Sequence, residues 1–287
     1  MKKGLFLTFL CASVILSNAQ RLPKTELDQS IVTVHYQFTQ QVLSGNTPVF
    51  LTDTTVLEIG NVCSVYYNWS STLRDSLYNV KVSSIDMQKI QSVTVIKNDI
   101  DDAERQIDNM VGGIVFEQQT NPESIRIYKN RQTNTITSID GNSNEMFLCE
   151  EIIPPLEWTF FPDTLTVLNY LCYKAETKFR GRKYTAWFTM DIPLDDGPWK
   201  MYGLSGLIFR LEDENQLFTY EAIGLTSHFG KPIVIDEGLY TRATNEQIQR
   251  WIENKRRETR RTGFLNGTML IVGKKSNLNF HKKEIGN

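Results

Sequence analysis

Histidine and cysteine, the residues that most often bind transition metals, are scarce in this chain. Three histidines and four cysteines occur among 287 residues. His35, His228 and His281 stand apart, without the paired spacing typical of catalytic zinc sites. The cysteines also lack the closely spaced pairs of a structural zinc site. A serine nucleophile elbow is missing too, because Leu207 stands where the motif around Ser205 requires a second glycine. The sequence therefore predicts no catalytic residues, no metal ligands and no cofactor.

Long apolar runs are also missing, apart from one at the start of the chain. Lys2 and Lys3 precede an apolar stretch at residues 4–16, and small residues follow it up to Ala19. As a helix this stretch would be roughly 20 Å long, against about 30 Å of bilayer hydrocarbon. Such a pattern is typical of a cleaved secretory signal. We therefore predict a signal peptide at residues 1–19, no transmembrane span, and a periplasmic, outer-membrane-associated or secreted protein.

An excess of positive charge is absent. The chain has 31 Lys and Arg against 33 Asp and Glu, and loss of Lys2 and Lys3 leaves a net charge of about −4. This balance argues against nucleic acid as a partner. No linker, repeat or low-complexity tract divides residues 20–287, which indicates a single β-rich domain with a basic helix and tail at 244–287.

Three cysteines remain after removal of the signal peptide, and each lies among apolar neighbours. An odd number leaves at least one thiol free or paired between chains. Buried free thiols are the favoured interpretation, although an exported protein could also form one disulfide. The residues are Cys63, Cys149 and Cys172.

Alternation of apolar and polar residues, the pattern of half-buried strands, dominates the domain. Within residues 30–40, for example, Val34, Tyr36 and Phe38 share one face. Residues 124–152 indicate a meander with a turn at Asp140-Gly141, and 166–190 and 207–223 indicate hairpins. Strands joined by such short turns are antiparallel. We predict a mainly β fold, either a large curved antiparallel sheet or an open or half barrel with a few helices; a β-sandwich is the alternative.

Two segments have helical patterns, residues 98–110 and residues 244–261. In the second, Thr244 and Gln247 form a capping box, and Ile248 and Trp251 lie on one face. Its basic end is either a solvated helix terminus or a patch for anionic lipid headgroups or an acidic partner. The basic residues are Lys255, Arg256, Arg257, Arg260 and Arg261.

The most distinctive stretch, residues 179–225, places a loop rich in proline, glycine and tryptophan between strands. Prolines fix φ, glycines allow close backbone approach, and tryptophans contribute large apolar surfaces. Such a loop is either a structural connection whose side chains fill one end of the sheet or a preorganised binding loop. The candidate binding residues are Arg182, Trp187, Pro193, Gly197, Pro198, Trp199, Gly203, Ser205 and Gly206.

This stretch resembles the signature of the GLPGLI family, secreted proteins typical of Bacteroidetes. The signature hexapeptide stands here as Gly-Leu-Ser-Gly-Leu-Ile at residues 203–208, with Ser205 where the family usually has proline. Trp158, Cys172 and the Gly-Pro-Trp-Lys sequence at residues 197–200 also fit the family pattern. The resemblance covers roughly residues 30–235. It implies a cell-envelope protein of Bacteroidetes and, because the family has no established activity, no reaction.

We expect a non-enzymatic binding or interaction protein outside the cytoplasm. Its aromatic strands suit either a carrier of a lipid-like molecule or a partner of an outer-membrane transporter. The same aromatics also suit an ordinary filled core. The alternative function is an enzyme that acts on envelope polymers with a pair of carboxylates. The partners expected are therefore an outer-membrane protein or an apolar small molecule.

Overall fold

The computed structural model describes most of the chain beyond the predicted signal peptide. The described residues are 24–73, 90–96, 105, 114–119, 125–142, 145–152, 155–227, 230–236, 238, 240–255, 258–265, 268–275 and 278–280. The helix predicted at residues 98–110 lies outside them except for Arg105, which is helical.

Strands make up most of the described residues. The described residues contain nineteen strands and one helix with defined bounds, and residues 69–73 form a further helical turn. In chain order these elements are β1 (Lys24–Ser30), β2 (Val32–Ser44), β3 (Thr47–Ile59), β4 (Cys63–Asn68), β5 (Ser92–Ile96), β6 (Ile114–Gln119), β7 (Arg126–Asn130), β8 (Thr135–Asn142), β9 (Glu145–Ile152), β10 (Thr159–Val167), β11 (Tyr170–Phe179), β12 (Arg182–Thr189), β13 (Leu207–Asp213), β14 (Phe218–Thr226), β15 (Lys231–Asp236), β16 (Thr241–Arg242), α1 (Asn245–Lys255), β17 (Glu258–Leu265), β18 (Thr268–Lys275) and β19 (Leu278–Phe280).

A single large sheet dominates the fold. Its strand order is β10-β11-β12-β13-β14-β2-β3-β4-β7-β8-β9-β16, and β19 also pairs with β2. All of these pairs are antiparallel except β9 with β16. Within the described residues its end strands, β10 and β16, do not pair with each other, so the sheet stays open. The predicted mainly β fold and the predicted meander and hairpins are confirmed.

Two turns lie elsewhere than the sequence predicts. β8 continues to Asn142, which pairs with Glu145, so Asp140-Gly141 belongs to the strand and not to the turn. Near its start, the hairpin predicted at residues 166–190 contains a further turn at Leu168 and Asn169, whose φ values are 49° and 67°. This two-residue turn joins β10 to β11. The prediction failed there because leucine rarely adopts the left-handed conformation and does not signal a turn.

Apolar side chains on the two faces of the sheet form separate cores. The larger core includes Tyr36 of β2 and Phe209 of β13, and it is covered by Trp199 from the connection between β12 and β13. The smaller core includes Val65 of β4 and is covered by Ile233 of β15. The sheet thus provides an apolar surface on both sides, which explains why a single sheet needs two different covering segments.

The helix α1 packs on β9 but is shorter than predicted. The capping box is confirmed, because Thr244 N–H donates to Gln247 and Gln247 N–H donates to Thr244 Oγ1. Ile248 packs against Phe147 and Cys149. The predicted extension to residue 261 is wrong, because residues 258–265 form β17 and pair with both β6 and β18. Within the described residues, no helix has the length and apolar character to cross a bilayer.

Two smaller sheets complete the described structure. β17 and β18 form the centre of a four-stranded sheet of order β5-β18-β17-β6. β1 pairs with β15 as a separate two-stranded ribbon. Asp28 in β1 accepts hydrogen bonds from the amides of Val62 and Cys63, at 2.6 and 2.9 Å, and so joins this ribbon to the large sheet.

The three described cysteines are free and buried, as the favoured interpretation predicted. Each belongs to a different apolar cluster: Cys172 to the larger core, Cys63 to the smaller core and Cys149 to the cluster under α1. Burial raises the pKa of Cys63 to about 12 and that of Cys172 to about 11. Both thiols are therefore protonated at neutral pH.

Candidate functional site

The β11–β12 hairpin closes through a two-residue turn. Arg180 and Gly181 have φ values of 47° and 77°, the left-handed conformation that such tight hairpins require. The resulting register places Lys178 directly opposite Lys183, and both lysines are exposed. Side chains of directly opposite residues share one face of a sheet. The turn therefore brings two positive charges side by side.

The connection between β12 and β13, residues 190–206, is called the interior loop below because its apolar side chains enter the larger core. Trp199, Met201 and Leu204 are buried in that core. The Trp199 ring lies 5.5 Å from the ring of Phe179 and 5.9 Å from that of Tyr184, centroid to centroid. The interior loop thus covers one face of the large sheet.

A buried ion network holds one end of the interior loop. Asp196, which is 1% exposed, forms ion pairs with Lys129 and Arg131. Lys129 Nζ also donates to the carbonyl of Gly197 at 2.6 Å. Burial lowers the pKa of Lys129, and the Asp196 carboxylate opposes that shift. The two cations thus compensate a carboxylate that water does not reach.

A second network holds the other end of the interior loop. Glu151 of β9 accepts from Lys200 at 3.0 Å and from Arg180 at 2.6 Å. Burial opposes ionisation of Glu151, but the two cations outweigh it, so its pKa is lowered. β9 and β11 lie near opposite ends of the sheet order. Glu151 therefore links the two ends of the curled sheet through the interior loop.

Two glycines of the interior loop stand where no side chain fits. A Cβ at Gly206 would lie 2.0 Å from the carbonyl oxygen of Thr189. Gly203 has a φ of 92°, and a Cβ there would meet the Trp158 ring at 3.1 Å. The Trp158 Nε1–H donates to the carbonyl of Tyr202 at 3.0 Å. This bond attaches the residues just before β10 to the interior loop.

The structure separates the candidate binding residues into buried and exposed groups. Arg182 is 6% exposed and pairs with Asp213 at 3.1 Å. Trp187 is half-buried on β12. The buried members are Arg182, Gly197, Pro198, Trp199 and Gly206, and the exposed members are Pro193, Gly203 and Ser205. The buried members face protein and not solvent, whereas ligand binding by this stretch stays a prediction.

A groove opens where β10 ends. β10 pairs with β11 from Thr159 opposite Glu176 onward, whereas residues 155–158 leave the sheet toward the interior loop. Residues 177–179 of β11 consequently have no strand on that side within the described part of the chain. The groove left beside them has a volume of about 800 Å³. The bond from Trp158 to Tyr202 thus accounts for the opening.

The groove lining is part apolar and part charged. Among its apolar side chains, Ile152 is 78% exposed. The other apolar lining residues are Pro155, Leu156, Phe161 and Phe179. Three cations, Lys178, Arg180 and Lys183, face two carboxylates, Glu157 and Glu176. The groove therefore combines an apolar wall with a cationic rim.

The cations of the groove are unequally compensated. Arg180 is bound to Glu151, and Lys183 pairs with Glu176 at 2.6 Å. Lys178 has no ion pair within the described residues, although it lies opposite Lys183. Like charges in directly opposed positions destabilise a sheet. An anion bound between them would remove that repulsion.

A hydroxyl in the groove also lacks a partner. Thr177 lines the groove and is 4% exposed, and its Oγ1 makes no hydrogen bond. Buried hydroxyls in native proteins are normally bonded, since an unpaired one costs free energy. The Thr177 hydroxyl oxygen has almost no accessible surface, so it belongs to the wall of the groove and is not open to a ligand in this conformation.

The predicted basic patch is not a helix end. Lys255 is the last residue of α1, whereas Arg260 and Arg261 lie on β17 opposite Gln118 and Glu117 of β6. Arg256 and Arg257 lie outside the described residues. Strand pairing separates these residues from the helix, because a sheet register overrides the local helical pattern. Their binding to an anionic partner stays a prediction.

Comparison with known proteins gives one family match. Residues 176–210 match the model of a family described as a protein of unknown function, Porph_ging. The matched segment runs from the end of β11 through the hairpin and the interior loop into β13. It therefore includes both the cationic rim of the groove and the loop that opens it.

No curated protein matches the chain. Two solved structures of PNGF-II, in space groups P21 and C2, are similar to it at 15% sequence identity. The matches cover 80% and 78% of this chain and 34% of each of those chains, with TM-scores of 0.47 and 0.43. The chain thus spans about a third of the length of those structures, and the similarity supports no inference about activity.

Sequence reasoning missed the groove residues Thr177, Lys178 and Lys183. A signal for the lysine pair was present. Once the turn is placed at residues 180 and 181, residues 179 and 182 must pair, and residues 178 and 183 must be the next pair. The groove itself had no such signal, because it depends on where β10 leaves the sheet.

Proposed function

We propose that this chain is an exported cell-envelope protein of the GLPGLI type that binds an anionic, partly apolar ligand in the groove beside β11. Export is supported by the charged, apolar and small-residue segments of residues 1–19. Family membership is supported by the hexapeptide at residues 203–208 and its flanks. The protein acts by binding and not by catalysis.

One observation carries the binding function: an exposed apolar wall lies beside an uncompensated cation. Ile152 is 78% exposed, and Lys178 stands opposite another lysine without an ion pair in the described structure. Exposed apolar surface and opposed like charges both cost free energy. A ligand with an apolar part and an anionic group would relieve both costs at once.

Catalysis by a carboxylate pair is less well supported. The adjacent acids of the interior loop are Asp195 and Asp196. Asp196 is 1% exposed and bound to two cations, so it cannot reach a substrate in this conformation. Asp195 accepts a hydrogen bond from the amide of Gly203. Both carboxylates thus have a role in shaping the interior loop.

The test is recovery of the ligand from protein purified out of the cells that make it. Three forms are compared: the natural protein, Ile152→Asp and the matched control Ile223→Asp, which changes an isoleucine that is 51% exposed on β14. Mass spectrometry then identifies bound small molecules, peptides and proteins. The aspartate at 152 removes apolar contact and repels anions, so we expect roughly tenfold less ligand.

The control separates a groove effect from a general effect of added charge. The natural protein and Ile223→Asp should retain the same anionic molecule in equal amounts. Equal retention by all three forms, or an empty extract from the natural protein, would contradict the proposed function.

A further inference from the structure

We propose that the ligand of the groove is an extended peptide segment with an acidic side chain, which adds as a strand to the free edge of β11. This inference rests on the proposed function and names its ligand class. The segment belongs to a partner protein and is recognised by its backbone, by one carboxylate and by apolar neighbours.

The free strand edge is the first observation that favours a peptide. Residues 177–179 pair with β12 on one side and have no strand on the other within the described residues. Edge strands present N–H and C=O groups that pair with an added strand. In an antiparallel pair, successive residues bond to opposite neighbours, so Lys178 is the residue of this edge whose N–H and C=O point to the free side. A peptide backbone can bond both groups, whereas a lipid-like molecule without amides cannot donate to that carbonyl.

The shape of the groove also favours a peptide over an acyl chain. The inner side of the sheet is filled by the larger core, whose side chains include the fully buried Tyr36, Tyr66 and Tyr220. A carrier must remove an acyl chain from water, which requires an enclosed apolar cavity. The groove beside β11 is lined by charged and hydroxyl groups as well as apolar ones. Such a mixed lining suits alternating side chains.

The alternation of β11 predicts the pattern of the peptide. Lys178 projects to the opposite face from Thr177 and Phe179, because successive strand residues alternate. A peptide residue beside Lys178 therefore meets Lys178 and Lys183 and should carry a carboxylate. The residues before and after it lie on the other face, next to Phe179, and should be apolar.

The experiment uses peptide probes and the natural protein. The first probe is a fluorescein-labelled heptapeptide of alternating valine and glutamate, and its binding is followed by fluorescence anisotropy. The second probe has the same sequence with alternate amides methylated, which removes backbone donors. The third has lysine in place of glutamate. We expect the second to bind roughly tenfold more weakly and the third to show no binding.

One substitution tests the charge contact on the protein side. Lys178→Ala should weaken the first probe roughly fivefold to tenfold and reduce the salt dependence of binding. The matched control is Lys24→Ala, which changes an exposed lysine on β1 that does not line the groove.

The outcomes distinguish the ligand class from the groove function. Lauric acid is tested as an amphiphile without amides. If it binds and Ile152→Asp abolishes that binding, while the valine–glutamate peptide does not bind, the peptide proposal is wrong and the groove function stands. Equal affinity of the methylated and unmethylated probes would also overturn the peptide proposal.

Discussion

The interior loop and the groove beside β11 both place cations close together, but the cations are compensated differently. Lys129 is buried and is matched by Asp196, which also binds Arg131. Lys178 is exposed and faces Lys183, whose carboxylate partner is Glu176. In the first region each of the buried charges has a partner within the protein. In the second region Lys178 has no ion pair within the described residues and is available to an anionic ligand.

The difference indicates which region is structural and which is available for recognition. A buried charge must be compensated inside the protein, because an unpaired one costs several kcal/mol. An exposed charge is hydrated and costs little, so it can stay unpaired until a ligand arrives. Substitutions should therefore affect stability strongly in the interior loop and binding selectively in the groove.

The largest expected effect is that of Asp196→Asn. The variant leaves Lys129 buried without its carboxylate, which should lower the free energy of unfolding by about 3–5 kcal/mol. Urea unfolding at neutral pH measures this change. Asp195→Asn is the control, because Asp195 is exposed and should change stability by less than about 1 kcal/mol. Similar losses of unfolding free energy for the two variants would contradict the structural role assigned to the buried Asp196 carboxylate.

Gly206→Ala should have the second largest effect. Its added Cβ would lie 2.0 Å from the carbonyl oxygen of Thr189, so the backbone must shift. We expect a loss of about 2–3 kcal/mol of unfolding free energy. Ser205→Ala, at the adjacent exposed position, serves as the control and should be close to neutral. An unchanged urea midpoint for Gly206→Ala would contradict this prediction, because it would mean that the loop backbone accommodates the methyl group without loss of stability.

Glu151 joins the two regions and gives a pH-dependent prediction. Glu151→Gln weakens the bonds to Lys200 and Arg180 and should cost about 1–2 kcal/mol at pH 7. The folded pKa of Glu151 is lowered from 4.5. Its stabilising effect is therefore complete above that value and is lost as the pH falls through the folded pKa. The difference in unfolding free energy between the natural protein and the variant should shrink below about pH 4.5.

A difference that stays constant from pH 7 to pH 3 would contradict the assignment of this effect to the Glu151 charge. Glu150→Gln provides the control, because Glu150 is exposed on the same strand. Its substitution should change the free energy of unfolding at pH 7 by less than about 0.5 kcal/mol.

The smallest effect is expected for Lys178→Ala, and its sign is opposite. Removal of one of two opposed lysines relieves repulsion, so stability should rise by a few tenths of a kcal/mol. Lys183→Ala also relieves repulsion but loses the ion pair with Glu176, and it should be close to neutral. Thermal unfolding of the two variants side by side measures the contrast. A clear loss of stability in Lys178→Ala would mean that this lysine has a structural role.

The strand pattern was predictable because it depends on neighbouring residues. Alternation in residues 30–40 and the short turns of the hairpins indicate strands without any knowledge of distant contacts. The turn at Arg180 and Gly181 was predictable for the same reason. Leu168 shows the limit, because tertiary packing holds a leucine at a φ of 49° that its sequence does not signal.

The site was less predictable because it depends on contacts between distant parts of the chain. The interior loop is held by Lys129 and Glu151, which belong to other strands far along the sequence. The groove exists because Trp158 binds Tyr202 and draws residues 155–158 away from β11. Neither contact has a local pattern. The sequence therefore indicated which segment was unusual. It did not indicate which residues line the groove.

The distribution of the three thiols offers a way to follow motion in different parts of the sheet. Cys63, Cys149 and Cys172 lie in three different apolar clusters of the described structure. A maleimide can alkylate such a thiol only when its cluster opens, since a shielded, protonated sulfur does not react. Three alkylation rates, resolved by peptide mapping, would therefore report three local opening equilibria in one unlabelled, unmutated molecule.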